Sequence, residues 1–113
     1  MAVKNYIKAV PLTSVNSATF TGGFVPLNGG LQAPCVILRI INSSNREIDI
    51  SYDGGATAHD HLFPGERLQL DFQANAKPNT SSAAMAQGTV IYVRGAAGAG
   101  LVYLAGYYQP DIS

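Results

Sequence analysis

Apolar and polar residues alternate with a period of two along much of this chain, and that period predicts strands. In REIDISYDGG, Ile48, Ile50 and Tyr52 fall on one face and Glu47, Asp49 and Ser51 on the other, until the pattern stops at Asp53-Gly54-Gly55. This is a half-buried strand followed by a hairpin turn. ERLQLDF repeats the alternation, with Leu68, Leu70 and Phe72 inward and Gln69 and Asp71 outward. It is entered through Pro64-Gly65, where proline fixes φ and glycine admits a positive φ, so a hairpin between residues 58–63 and 67–72 is predicted. CVILRIIN, beginning at Cys35, is an almost unbroken apolar run rich in β-branched residues, which predicts a central strand buried on both faces. TVIYVRG and LVYLAGYY flank the small, flexible AAGAG and predict a second hairpin over residues 89–108.

Two regions lack this regularity. TFTGGFVPLNGG, residues 19–30, carries glycine pairs, a proline and two phenylalanines, so residues 1–30 read as an N-terminal arm or edge strands ahead of a β-sandwich domain over 31–113, one domain overall. Phe20 and Phe24 are candidate plugs for a neighbouring subunit or caps on their own core. Helical spacing is weak throughout; the one candidate, SSAAMAQ, lies in the longest loop, residues 74–88, a length often used for contacts. About seven or eight short strands at spacings of roughly 8 to 12 residues predict an all-β fold, a single antiparallel β-sandwich or jelly-roll.

Composition changes the picture at one point. With 113 residues the chain is one domain, and seven basic and seven acidic residues cancel, which argues against nucleic acid and against an anionic membrane surface as partners. Charged residues make up only 12 % of it, about half of the roughly 25 % typical of soluble domains. A small domain with so little surface charge is poorly defended against association, so much of its surface is expected to be covered by other copies or by a partner. The single cysteine, Cys35, makes no internal disulfide and reads as a small buried hydrophobe. Neither a signal-peptide core nor an apolar run of transmembrane length is seen, so synthesis and folding in a cytoplasm are expected.

The candidate chemistry sits in AHDHLFPGE, residues 58–66. Residues two apart on a strand share a side, so His59 and His61 with Glu66 form a potential two-histidine, one-carboxylate metal set. The spacing resembles the first metal motif of the cupins, which would imply a metal held inside a jelly-roll. The chain has no third histidine, however, the glycine spacings around the motif fail, and Pro64-Gly65 puts Glu66 in a turn. The expectation is a solvated strand and turn. With both histidines in one segment and no nucleophile-elbow motif, no Ser-His-Asp triad is expected, and GAAGAG lacks the glycine spacing and following helix of a dinucleotide loop. No catalytic, cofactor or metal residue is assigned, and no enzyme is expected. Tyr103, Tyr107 and Tyr108 read as aromatic pairs at a sheet surface or subunit interface before they read as sugar or base platforms.

The charge-poor Gly/Ala/Asn-rich composition, INSSNREIDISYDGG, LFPGERLQLDF and the closing GTVIYVRGAAGAGLVYLAGYY together resemble the small all-β virion proteins of tailed bacteriophages. The likeness spans residues 35–108. It implies a structural protein assembled in several copies, a capsid cement or decoration protein, with a neck or tail accessory protein as the alternative. Its implied partners are copies of itself and a major capsid or other virion protein, its implied location is the virion, assembled in the host cytoplasm, and it needs no cofactor. Multivalent contacts repeated by symmetry would make weak single contacts sufficient. Candidate contacts are Tyr6, Phe20, Phe24, Met85, Tyr107 and Tyr108, in the arm over residues 6–24, the loop 74–88 and the last strand. Two other classes stay open, a carbohydrate-binding β-sandwich and a cupin-like metal protein.

Overall fold

The computed structural model describes residues 8–71 and 85–108. Among these, the strands are β1 (Lys8–Ala9), β2 (Thr13–Asn16), β3 (Val25–Pro26), β4 (Ile37–Asn42), β5 (Ile48–Ser51), β6 (Asp60–Leu62), β7 (Arg67–Asp71), β8 (Tyr92–Arg94) and β9 (Leu101–Tyr108). They form two antiparallel sheets. One has the order β1–β9–β4–β7, with β2 continuing β1 along the same edge of β9; the other has the order β3–β8–β5–β6. From β2 onward every connection crosses between the sheets except the β5–β6 hairpin. Those two strand orders and that crossing pattern define a jelly-roll β-sandwich.

The core lies where the inward parity of each strand meets the facing sheet. Leu38 and Ile40 of β4 lie beside Leu104 and Val102 on β9, and opposite them stand Ile48 and Ile50 of β5, Leu62 of β6 and Val93 of β8, all at 5 % exposure or less. Phe20, Leu27, Leu31, Cys35 and Ile91 close the ends of the same cluster. Burying a side chain of this size stabilises by about 1.5–3 kcal/mol, so the alternation read from the sequence supplies the folding drive of both sheets.

Three expectations need correction. The hairpin expected around Pro64-Gly65 is instead a corner: the turn is tight, with Glu66 N–H donating to Phe63 O at 3.0 Å and Gly65 at φ +81°, yet β6 pairs with β5 and β7 with β4, in different sheets. Likewise β8 and β9 do not pair with each other; AAGAG carries the chain from one sheet to the other. A turn sequence fixes local chain reversal, whereas the choice of neighbour is made by which edges the rest of the fold leaves open. Third, β4 is central but buried on one face only: Leu38, Ile40 and Asn42 point inward, while Ile37, Arg39 and Ile41 are half-covered on the outside. A two-layer sandwich has a single inner face per sheet.

Residues 8–30 provide edge strands to both sheets, β1 and β2 against β9 and β3 against β8. The expected helical piece and most of the loop over 74–88 lie outside the described residues. At its end, Met85 forms an antiparallel bridge with Cys35, and Gly88 N–H donates to Leu31 O at 2.8 Å.

Candidate functional site

The outward parity of the β3–β8–β5–β6 sheet places one polar row across β8, β5 and β6. Asp49 lies directly opposite His61 on β6 and Arg94 on β8. Its Oδ1 is 2.7 Å from His61 Nδ1, and its Oδ2 accepts from Arg94 Nε–H at 2.9 Å. The Arg94 guanidinium in turn lies 4.5 Å over the Phe24 ring, a cation–π contact at the start of β3. At the other end His61 meets the Phe63 ring edge-on at 4.8 Å, and its Nε2 is 3.6 Å from Glu47 Oε1. Hydrogen bonding from His61, reinforced by Arg94, holds the Asp49 carboxyl below the usual carboxylate range although partial burial works against it. Six side chains are therefore linked in one run of contacts.

This row is one wall of an open cleft of about 510 Å³. Asn45, Arg46 and Glu47 also line it, and Gly22 and Gly95 lie in it without side chains. Gly95 is required there, since a Cβ would fall 2.8 Å from Glu47 O. Arg46 is itself tied down, its Nε–H donating to Ala97 O at 3.0 Å.

The set read from AHDHLFPGE does not converge. His59 Nδ1 accepts the Tyr52 N–H at 3.1 Å and its ring stacks on Tyr52, whereas His61 turns to Asp49 and Glu66 Oε1 accepts the Phe63 N–H at 2.8 Å, bracing the corner. Among the described residues no group of three or more His, Cys, Asp or Glu is placed to hold a metal ion. Tyr52 donates to Asp60 Oδ2 at 2.7 Å, and burial together with that carboxylate pushes its phenol pKa well above the ordinary value. The Ser51 hydroxyl donates to Asp53 Oδ1 at 2.7 Å and, with the Thr57 N–H, holds Asp53 down at about 2.

The expected contact residues separate. Of the two readings of Phe20 the structure shows the cap: at 3 % exposure it belongs to its own core. Phe24 is half-buried beneath Arg94, Met85 packs on the core, and Tyr108 stands opposite Lys8 on β1. Tyr6 lies outside the described residues. Tyr107 belongs to a larger feature, the outer face of the β1–β9–β4–β7 sheet. There Ile37 lies opposite Tyr107 and Ile41 opposite Tyr103, with Arg39 opposite Ala105 between them and Leu101 continuing the β9 row, all half-buried. Sequence reading missed Arg94 and the outward halves of β4; the signal for Arg94 was a lone charge at an outward position of TVIYVRG, but its partner is set by strand pairing. Comparison with known proteins finds no matching family, no similar curated protein and no similar solved structure.

Proposed function

We propose that this jelly-roll is a structural assembly protein of the virion type, a cement or decoration protein of a tailed-phage particle that works by packing an apolar sheet face against other copies of itself. The observation that carries this reading is the outward strip of Ile37, Ile41, Leu101, Tyr103 and Tyr107 along the two central strands of one sheet. An outer sheet face exposed to water ordinarily reads polar, and here the flanking strands do, through Ser14 and Asn16 on β2 and Arg67 and Gln69 on β7. An apolar centre with a polar rim is the anatomy of a protein interface. The zero formal charge and the 12 % charged fraction point the same way, because little electrostatic repulsion opposes association. The virion assignment itself rests on the sequence resemblance.

Native mass spectrometry of the untagged protein tests the reading. A symmetric oligomer that falls to monomer in an Ile41→Asp/Tyr103→Asp variant supports it; a wild-type monomer at every concentration, or an oligomer indifferent to those changes, sinks it.

A further inference from the structure

The cleft on the opposite sheet is unused by an assembly face, and its construction points to a ligand. We infer that it binds a neutral glycan, a segment of one or two sugar units, along the Asp49–His61–Arg94 row where Arg46 and Glu47 join the lining. Its volume, about 510 Å³, falls within the roughly 300–1,000 Å³ of small-molecule sites. Charge selects the class. Two guanidiniums, Arg46 and Arg94, face two carboxylates, Glu47 and Asp49, so the lining has no net formal charge with histidine neutral. A phosphate or sulfate would meet the two carboxylates, a cation the two guanidiniums, and a metal ion lacks its ligand set.

A sugar suits this lining because each hydroxyl both donates and accepts. Guanidinium N–H groups, the Asn45 amide and the carboxylate oxygens supply both halves of that exchange. Polar side chains serve recognition only if they are ordered beforehand. Here Asp49 locks His61 and Arg94 from two sides, and Ala97 O holds Arg46. The remaining requirement is a flat apolar surface for the C–H face of a pyranose. Phe63 offers one at the margin of the cleft, between the lining residues His61 and Pro64 in sequence and not itself part of the lining: it is 54 % exposed, the only aromatic among the large hydrophobics exposed in the described residues.

The test is a panel of immobilised neutral oligosaccharides built from hexoses and N-acetylhexosamines, with sialylated and sulfated counterparts on the same surface, probed with the full-length chain. Phe63→Ala and Glu47→Gln change exposed side chains, and their thermal melts are compared with wild type to confirm folding. Binding confined to neutral glycans and weakened about tenfold or more in both variants is the expected result. Absence of binding across the panel, preference for the anionic members, or binding unchanged in the two variants would overturn the inference. Oligomeric state, measured on the same samples, depends on the other sheet and reports separately on assembly.

Discussion

At the scale of single residues, the most consequential side chain lies outside both surfaces. Asn42 ends β4 at 0 % exposure, where a strand of this composition would be expected to carry another aliphatic. Its Nδ2 donates to Arg46 O at 2.8 Å and reaches Leu62 O and Phe63 O at 3.4 and 3.3 Å, while its Oδ1 accepts from Ser44 N–H and Ser44 Oγ–H at 3.1 and 2.6 Å. One amide thereby ties the β4–β5 connection to the corner after β6. Asn42→Leu keeps the branched shape but orphans several buried groups, each worth about 1–3 kcal/mol. A loss of about 3 kcal/mol or more is expected in urea unfolding, as a lower midpoint at unchanged slope. A second prediction concerns acid. Asp49 and Asp53 both have folded pKa values below their ordinary ones, so the unfolded chain takes up protons first as pH falls. Their contribution is complete above the ordinary carboxylate range, about pH 4, and is lost as pH drops from there, toward about 2 for Asp53. Urea midpoints between pH 6 and 2, taken at roughly half-unit steps, should fall less steeply on the acid side in Asp49→Asn than in wild type. Equal slopes would mean that the His61 and Arg94 contacts do not hold the carboxylate in solution.

At the scale of elements, the corners carry the backbone constraints that the strands do not. Gly100, which leads into β9, has φ +104°, and a Cβ there would fall 2.5 Å from Ser43 O and 2.8 Å from Ser44 Cα; its own carbonyl accepts from both Ser17 N–H and Ser17 Oγ–H. Gly65 also has positive φ, +81°, but a Cβ there would meet nothing within 4 Å. Gly65→Ala should therefore cost only the backbone strain, about 1–2 kcal/mol, and Gly100→Ala clearly more, since backbone atoms would have to move; thermal melts of the two variants give the order. The same contrast explains what was legible in the chain. The strand period, the inward residues of β5 and β7 and the turn at Pro64-Gly65 could be read because each depends on neighbours within a few residues. The crossing of that turn between sheets, the lateral meeting of Asp49 with Arg94 and the open outer face of β4 could not, because they depend on pairings distant in the chain, such as Asn42 with Val102 and Ile50 with Val93. His59, His61 and Glu66 do not converge for a related reason: same-side parity brings side chains to one face, but each is held there by another partner.

At the scale of the whole molecule, the outer face of the β1–β9–β4–β7 sheet has an internal regularity that favours a second copy as its occupant. The Ile37–Tyr107 and Ile41–Tyr103 pairs lie two residues to either side of Arg39–Ala105. A two-fold axis running across the strands at that level lays each apolar pair of one copy on the other pair of its mate, and sets Arg67 of one β7 against Asp71 of the other. Arg39, on the axis, leans aside toward Gln69 Oε1 at 3.4 Å and leaves the strip to the aliphatic and aromatic groups. Energy at such a face would come from the buried apolar centre, with the Arg67 and Asp71 contacts at a solvated rim contributing little. Two dependences follow with opposite strengths. Because folding and association are then linked, the melting temperature should rise with protein concentration, whereas raising salt from about 0.05 to 0.5 M, which screens exposed charge pairs, should change it little. Ile41→Asp should abolish the concentration dependence while leaving a folded chain, since Ile41 points away from the core. A wild-type melt that is independent of concentration would remove the second copy from this face, and a melt that is concentration-dependent but collapses with salt would place the interface on charged residues elsewhere.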